Sequence, residues 1–260
     1  MDTATVKKIA KYLHLAELEK REVPRITLQY PELSVEEAYE IQEHLVQIKL
    51  EHGHNIVGPK MGLTSQAKMK QMGVDEPIYG YVFDHMVKSG QEISLSDYIH
   101  PKVEAEIAFI LGKDLEGTNV TIHQVLDATE YITPALEIID SRYENFNFTL
   151  PDVIADNASS SGVLFGTLLQ PPHKLELDLI GVTLLINGHT RDLGAGAAVL
   201  GHPAKSVAML ANMLGRRGLK LKAGQVILTG GITGAIQFEA KDTVSAKFAG
   251  IGSVDFVVKE

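Results

Sequence analysis

The stretch VEAEIAFIL, residues 103–111, decides which fold to expect, because its polar and apolar side chains alternate with the period of a β-strand. Successive side chains of a strand point to opposite faces of its sheet. Glu104 and Glu106 therefore share one face. The other face is apolar and consists of Val103, Ala105, Ile107 and Phe109. The stretch predicts a strand with one face in a hydrophobic core and two carboxylates on the other.

Further short runs rich in valine, isoleucine and aromatic residues predict strands from about Lys88 onward, with glycine or polar turns between them. These runs are EYITPALEII (130–139), GVTLLING (181–188), QVILTGG (225–231) and FVVK (256–259). One further helix is expected from Pro203 to about Arg217, with proline near its first position and Gly218 just past its end. The strand-rich part should therefore carry one inserted helix.

Two amphipathic helices are predicted near the N-terminus, because apolar residues recur there at helical spacing. These residues are Val6, Ile9, Leu13 and Ala16, then Ala38, Ile41, Leu45 and Ile48. Ser34 followed by Glu37 predicts a capping box for the second helix, and Gly53 predicts its end. We expect an α+β chain in which a helical N-terminal segment, residues 1–70, packs on a core, residues 71–260, as one structural unit.

The composition excludes several classes of protein. The chain has 260 residues, 45% hydrophobic and 22% charged, which is typical of a folded globular protein. Its net charge of -9 and the lack of a basic stripe make nucleic acid a poor partner. It has no cysteine, so thiolate zinc sites and thiol nucleophiles are excluded. No stretch has the length of a signal peptide core or a membrane span, so we expect a cytoplasmic protein without membrane contact.

A third acid suggests a chemical role for Glu104 and Glu106. Glu137 lies in the apolar run PALEIID, residues 134–140, which suggests that it is buried. Buried carboxylates that converge would repel one another unless a cation stood between them. Magnesium, with manganese as the alternative, suits ligands that are all oxygen. The competing interpretation is a solvated strand face with harmless acids.

Two loop segments contain further candidate residues for a functional site. Lys60 lies among glycine, proline and methionine in VGPKMGLTS, residues 57–65, where it is either a surface lysine or a buried cation beside the metal. The segment VIADNASSSG, residues 153–162, offers polar side chains that either cap a loop or contact a substrate. These polar side chains are Asp156, Asn157, Ser159 and Ser160.

Several long segments together resemble the hydratase and decarboxylase group of the fumarylacetoacetase superfamily. They are IVGPKMGLTSQAKMKQMGVDEPIYG (56–80), HPKVEAEIAFI (100–110), PALEIIDSRYENF (134–146), ADNASS (155–160), LGAGAAVLGHPAKSVAMLANML (193–214), LTGGIT (228–233) and GIGSVDF (250–256). The resemblance implies a mixed β-roll, barrel-like core with flanking helices and a divalent metal. It places the metal ligands at Glu104, Glu106 and Glu137 and an active-site lysine at Lys60.

Within this group the sequence favours the enzymes that decarboxylate 2-oxohex-3-enedioate over those that hydrate 2-hydroxypenta-2,4-dienoate. The hydratases tend to carry an acid where this chain has Ile78, and the decarboxylases tend to read DSRYENF and TGGIT, as residues 140–146 and 229–233 do here. A hydratase, or a non-catalytic partner of the hydratase, remains the alternative.

The resemblance also implies roles for individual residues and partners. Ile78 and Asp156 join Lys60 as catalytic candidates. The substrate-binding candidates are Asn157, Ser160, Arg142 and Thr229. We expect a small 2-oxo diacid as substrate, a homo-oligomer, and a complex with the hydratase of the same pathway.

Overall fold

A computed structural model describes residues 1–66, 69–70 and 73–260 of the chain. The α-helices whose bounds lie within these ranges are α1 (Thr3–Glu19), α2 (Val35–Glu51), α3 (Ile122–Ala128), α4 (Leu150–Ala155) and α5 (Pro203–Arg216). Within the described ranges, none of them has both the length and the apolar character needed to traverse a lipid bilayer.

The strands form two sheets. They are β1 (Ile56–Gly62), β2 (Ile78–Phe83), β3 (Glu92–Ser94), β4 (Lys102–Leu111), β5 (Thr129–Ile139), β6 (Ser160–Phe165), β7 (Gly181–Ile186), β8 (His189–Ala195), β9 (Val226–Leu228), β10 (Ile236–Gln237), β11 (Thr243–Phe248) and β12 (Gly252–Lys259). The first sheet runs in the order β2-β1-β9-β4-β5-β6, with β10 also paired to β4. The second runs β3-β12-β11-β7-β8. Both sheets are mixed, since β1 pairs with β9 and β12 with β3 in parallel.

The two faces of β4 have different surroundings, as the alternation of its sequence predicts. Its apolar face, which includes Val103 and Ile107, belongs to the same buried cluster as Val244 and Phe256 of the second sheet. Its opposite face carries the glutamates and is covered further along by α2, whose Val46 packs in a cluster with Ala108. Burial of the apolar face thus fixes the direction in which the carboxylates point.

Helix α2 is tied to the first sheet by a buried amide. Gln42 is fully buried, and its Nε2 donates hydrogen bonds to the carbonyl oxygens of Tyr79 in β2 and Ile154 in α4, both at 2.9 Å. The start of α2 is the predicted capping box, with Ser34 N donating to Glu37 Oε2 and Glu37 N to Ser34 Oγ. The helix ends at Glu51, and Gly53 takes a positive φ of 89°.

The predicted N-terminal helices, the main strands and the helix from Pro203 are confirmed, but two expectations are corrected. Strands begin at Ile56 rather than near Lys88, because β1 contains glycine and proline, which weaken the strand signal. The chain also carries α3 and α4, which were not predicted because each is too short to show a helical period. Since β1 pairs with β2 and β9, the segment 1–70 contributes a strand to the main sheet as well as helices.

Candidate metal centre and substrate cavity

The three glutamates predicted to converge are adjacent in the fold. Strands β4 and β5 are antiparallel in a register that sets Glu104 directly opposite Glu137, and Glu106 follows two residues along on the same face. One carboxylate oxygen from each residue lies within 4.8 Å of the others. The chain therefore brings three carboxylates, distant in sequence, to one point on the sheet.

These carboxylates are removed from water. Glu106 and Glu137 are 0% and 1% exposed, so the interpretation as a solvated strand face is wrong. Glu106 Oε2 accepts a hydrogen bond from Gly230 N at 2.7 Å, whereas Glu106 Oε1 has no hydrogen-bond partner among the described residues. Burial raises the pKa of Glu106 well above its usual range, and the charge of Glu137 raises it further. Buried acceptor oxygens in this arrangement fit a divalent cation.

Lys60 lies beside this cluster and is not a surface lysine. It projects from β1, is 3% exposed, and its Nζ is 3.0 Å from Glu137 Oε1. Nζ also donates a hydrogen bond to the carbonyl oxygen of Ala158 at 3.0 Å. Burial raises the pKa of Glu137, while the positive charge of Lys60 opposes that rise. The lysine is thus a fixed cation at the edge of the carboxylate cluster.

The carbonyl that holds Lys60 is presented by a strained turn. Asn157, Ala158 and Ser159 all adopt left-handed backbone conformations, with φ of 50°, 51° and 56°. The Asn157 side chain fixes the turn, since Oδ1 accepts from Tyr81 N at 2.8 Å and Nδ2 donates to Tyr81 O at 2.9 Å. Only glycine fits at position 80, where a Cβ would lie 2.4 Å from the Asn157 carbonyl oxygen.

A cavity of about 370 Å³ opens above the glutamates. Glu104 and Lys60 form part of its wall, while Glu106 and Glu137 lie beneath it. Ile78, 4% exposed, is one of the apolar residues that make up most of the cavity wall. The remaining lining residues are Gly62, Leu63, Lys102, Ile139, Phe146, Phe148, Val153, Ala158, Ser159 and Ala235.

Two predicted site residues instead bind each other. Arg142 and Asp156 are 2% and 0% exposed, and Arg142 donates from Nε to the Asp156 carboxylate and from Nη2 to the Asp156 carbonyl oxygen. Arg142 Nη1 also donates to Ser161 Oγ at 3.0 Å. Burial raises the pKa of Asp156 to about 7, although Arg142 opposes the rise. Neither Arg142 nor Asp156 lines the cavity above the glutamates.

The other predicted substrate contacts also lie just outside the cavity wall. Thr229 is fully buried, and its Oγ1 donates to the carbonyl oxygen of Ile107 at 2.8 Å. Ser160 Oγ lies 3.7 Å from Met86 Sδ, and the Asn157 side chain is occupied by the backbone of β2. Ser159, one residue before Ser160, does line the cavity, and its buried Oγ has no hydrogen-bond partner among the described residues.

Sequence reasoning missed several wall residues, among them one cation and two aromatic rings. Lys102, Phe146 and Phe148 line the cavity but were not selected as site residues. Lys102 could have been found, because it lies two residues before Glu104 and so shares the carboxylate face of β4. Phe146 ends the segment DSRYENF, which was used only as a feature that resembles the decarboxylases, and no role was assigned to its phenylalanine.

Comparison with known proteins identifies the family. The model for the fumarylacetoacetate (FAA) hydrolase C-terminal family matches residues 54–259. The chain therefore belongs to the fumarylacetoacetate hydrolase family, and the predicted fold, a mixed, curled sheet core with flanking helices, is confirmed.

Individual relatives narrow the comparison within this family. The chain is 46% identical over 247 residues to a 4-oxalocrotonate decarboxylase of Pseudomonas sp. strain CF600, covering 95% of this chain and 94% of that one. It is 38% identical over 253 residues to a 2-oxo-hept-4-ene-1,7-dioate hydratase of Escherichia coli, covering 95% of each. The structure of 4-oxalocrotonate decarboxylase from Pseudomonas putida G7, complexed with magnesium and adipate, superposes with a TM-score of 0.97 at 42% identity, covering 99% and 98% of the two chains.

Proposed function

We propose that the protein is a magnesium-dependent decarboxylase that converts 2-oxohex-3-enedioate (4-oxalocrotonate) to 2-hydroxypenta-2,4-dienoate and carbon dioxide. The observation that carries this proposal is the cluster of three buried glutamates and Lys60 at the base of a cavity. Support comes from the decarboxylase relatives, one of which was solved with magnesium and a six-carbon diacid. We also propose that the enzyme works in the cytoplasm as a homo-oligomer, in complex with the hydratase that consumes its product.

Glu104, Glu106 and Glu137 would hold the magnesium ion. The fit rests on their oxygen chemistry, on their spacing, and on the buried Glu106 Oε1 that no described residue satisfies. When bound, the ion would supply Lewis acidity and orient the 2-oxo acid end of the substrate.

The chain's own residues stabilise and shape the reaction. Loss of carbon dioxide sends the electrons of the breaking carbon–carbon bond through the double bond to the 2-oxo oxygen, which then takes up a proton. Lys60, held between Glu137 and the Ala158 carbonyl, places a fixed positive charge close to that developing negative charge. Ile78 keeps part of the wall apolar, which favours neutral carbon dioxide over a carboxylate. We propose that Ser159 Oγ donates a hydrogen bond to the substrate.

The alternative is hydration of a dienoate, because several relatives are hydratases with 37% to 41% identity. Water addition requires a group that can carry a proton to or from the substrate. This chain has Ile78 in the wall, where the hydratases tend to carry an acid. The proposal therefore favours decarboxylation.

The test is an assay of the purified protein with both substrates. We expect carbon dioxide release from 2-oxohex-3-enedioate that depends on added magnesium and stops with a chelator, and little hydration of 2-hydroxypenta-2,4-dienoate. Faster hydration than decarboxylation would make the protein a hydratase. No turnover of either substrate, with no magnesium binding, would favour the non-catalytic partner.

A further inference from the structure

One cation in the cavity wall has no role in the mechanism above. Lys102 lies on the same face of β4 as Glu104, two residues nearer the strand's start, and lines the cavity. Lys60, the other lysine of the described wall, is occupied by Glu137 and Ala158. Lys102, by contrast, forms no ion pair with a carboxylate in the part of the chain that the structure describes.

The Lys102 ammonium is nevertheless held in place. Its Nζ lies 4.0 Å from the centroid of the Phe146 ring, which is a close cation–π contact. Phe146 is itself fixed in a left-handed backbone conformation, with φ of 56°, next to Asn145 with φ of 57°. A cation–π contact is weaker than a charged hydrogen bond, so the ring orients the ammonium without satisfying its N–H groups.

The position of Lys102 suits one end of an extended diacid. Strand residues two apart are separated by about 7 Å along the strand, which is comparable with the length of an extended six-carbon chain. A substrate whose 2-oxo acid end lies at the glutamates can therefore run along this face of β4 towards Lys102. Ile139, which is opposite Lys102 in the register and also lines the cavity, supplies an apolar side along that path.

We propose that Lys102 binds the distal carboxylate of the substrate and so selects dicarboxylates over monocarboxylates. This inference rests on the function proposed above and assigns the end of the substrate that leaves as carbon dioxide. Because that carboxylate loses its charge in the reaction, its contact with Lys102 weakens towards the transition state. Lys102 should therefore tighten substrate binding without accelerating the chemical step.

The experiment uses two ligands that differ only at the distal end. The ligands 2-oxohexanedioate and 2-oxohexanoate share the 2-oxo acid group, and only the first has a second carboxylate. Their binding to the magnesium-loaded protein is measured by calorimetry, and KM and kcat are measured for 2-oxohex-3-enedioate. The variants are Lys102→Met, Lys102→Arg and, as a control on an exposed strand position away from the cavity, Lys247→Met.

We expect Lys102→Met to lose about ten- to hundredfold of its affinity for 2-oxohexanedioate, which is the range for one charged hydrogen bond, and to bind 2-oxohexanoate as before. KM should rise by a similar factor, and kcat should stay the same or rise. Lys102→Arg should retain most of the preference for the diacid, and Lys247→Met all of it.

Equal weakening of both ligands, or an unchanged preference for the diacid in Lys102→Met, would overturn the assignment. The same holds for a Lys102→Met variant that loses kcat while its KM is unchanged. The binding measurement is independent of turnover. A wild-type protein that prefers the diacid but releases no carbon dioxide would therefore refute the proposed function and leave the role of Lys102 standing.

Discussion

Two of the groups of charged side chains that are buried in this protein are satisfied to different degrees. Arg142 and Asp156 face each other, and the guanidinium also donates to a carbonyl oxygen and to Ser161. At the other group, Glu106 keeps one buried oxygen without a hydrogen-bond partner in the described part of the chain, and its pKa is raised well above the usual range. The first group is complete as it stands, whereas the second leaves an acceptor oxygen that suits a ligand.

This difference separates structural from functional polar residues. A buried ion pair with all its hydrogen bonds made contributes to the fold, and removing one partner leaves a buried charge. A cluster of like charges is costly for the fold and is retained where it binds something. Each group can be tested by asking whether a substitution changes stability or ligand binding.

The largest effect is expected for Glu137→Gln. Loss of one carboxylate should abolish tight magnesium binding and lower kcat/KM by about a thousandfold or more, since a bound metal contributes several kcal/mol to such a reaction. Magnesium titration and carbon dioxide release measure the two effects. Glu130→Gln, at an exposed position of the same strand, is the matched control. Full activity of the Glu137→Gln variant in the presence of a chelator would contradict the metal site.

The next largest effect is expected for Arg142→Met, and it concerns stability. The change leaves Asp156 buried without its cation, which should cost about 3–5 kcal/mol of unfolding free energy in denaturant titrations. Magnesium affinity of the folded variant should be unchanged. Arg216→Met, which removes an exposed pair with Glu76, should cost at most about 1 kcal/mol. A variant of Arg142 that is as stable as wild type but binds substrate poorly would restore Arg142 as a substrate contact.

A smaller effect is expected for Ile78→Asp. An aspartate side chain at this position should bring water into the apolar wall and so solvate the departing carboxylate, which should lower kcat for decarboxylation by at least about tenfold. Ile78→Val, which keeps the wall apolar, should change kcat little. Unchanged turnover of Ile78→Asp would refute the role given to this residue.

The smallest effect is expected for Ser159→Ala, which removes a hydroxyl of the cavity wall that has no hydrogen-bond partner among the described residues. Loss of one neutral hydrogen bond to the substrate should lower kcat/KM by about three- to tenfold. The neighbouring Ser160→Ala should have little effect, because that hydroxyl contacts Met86 outside the cavity wall. The reverse order of effects would mean that the substrate contact was correctly predicted at Ser160.

Much of this molecule follows from local patterns in its sequence. The alternation in residues 103–111 predicted which face of β4 packs into the hydrophobic core, and Ser34 with Glu37 predicted the start of α2. The convergence of Glu137 with Glu104 was a prediction from burial and repulsion. Its geometry depends on a strand register that joins residues 33 positions apart, a relation that no local pattern specifies.

The rest depends on contacts that the sequence does not encode locally. The sequence shows that an arginine and an aspartate are present, but it does not show whether they bind a substrate or each other. The mutual pairing of Arg142 and Asp156 was therefore not predicted. Ser159 and Ser160 were indistinguishable in ADNASS, because only the left-handed turn at residues 157–159 decides which hydroxyl reaches the cavity. Glycine and proline in β1 concealed a strand that tertiary pairing imposes.

The single amide of Gln42 has a consequence for substrate range. By donating to Tyr79 and Ile154 at once, it links the strand that carries Ile78 to the helix that carries Val153, and both of these residues line the cavity. The spacing of these two wall residues therefore depends on a helix that contributes no residue to the described cavity wall. The range of substrates that such an enzyme accepts can change through substitutions in a supporting helix, while every reacting group stays the same.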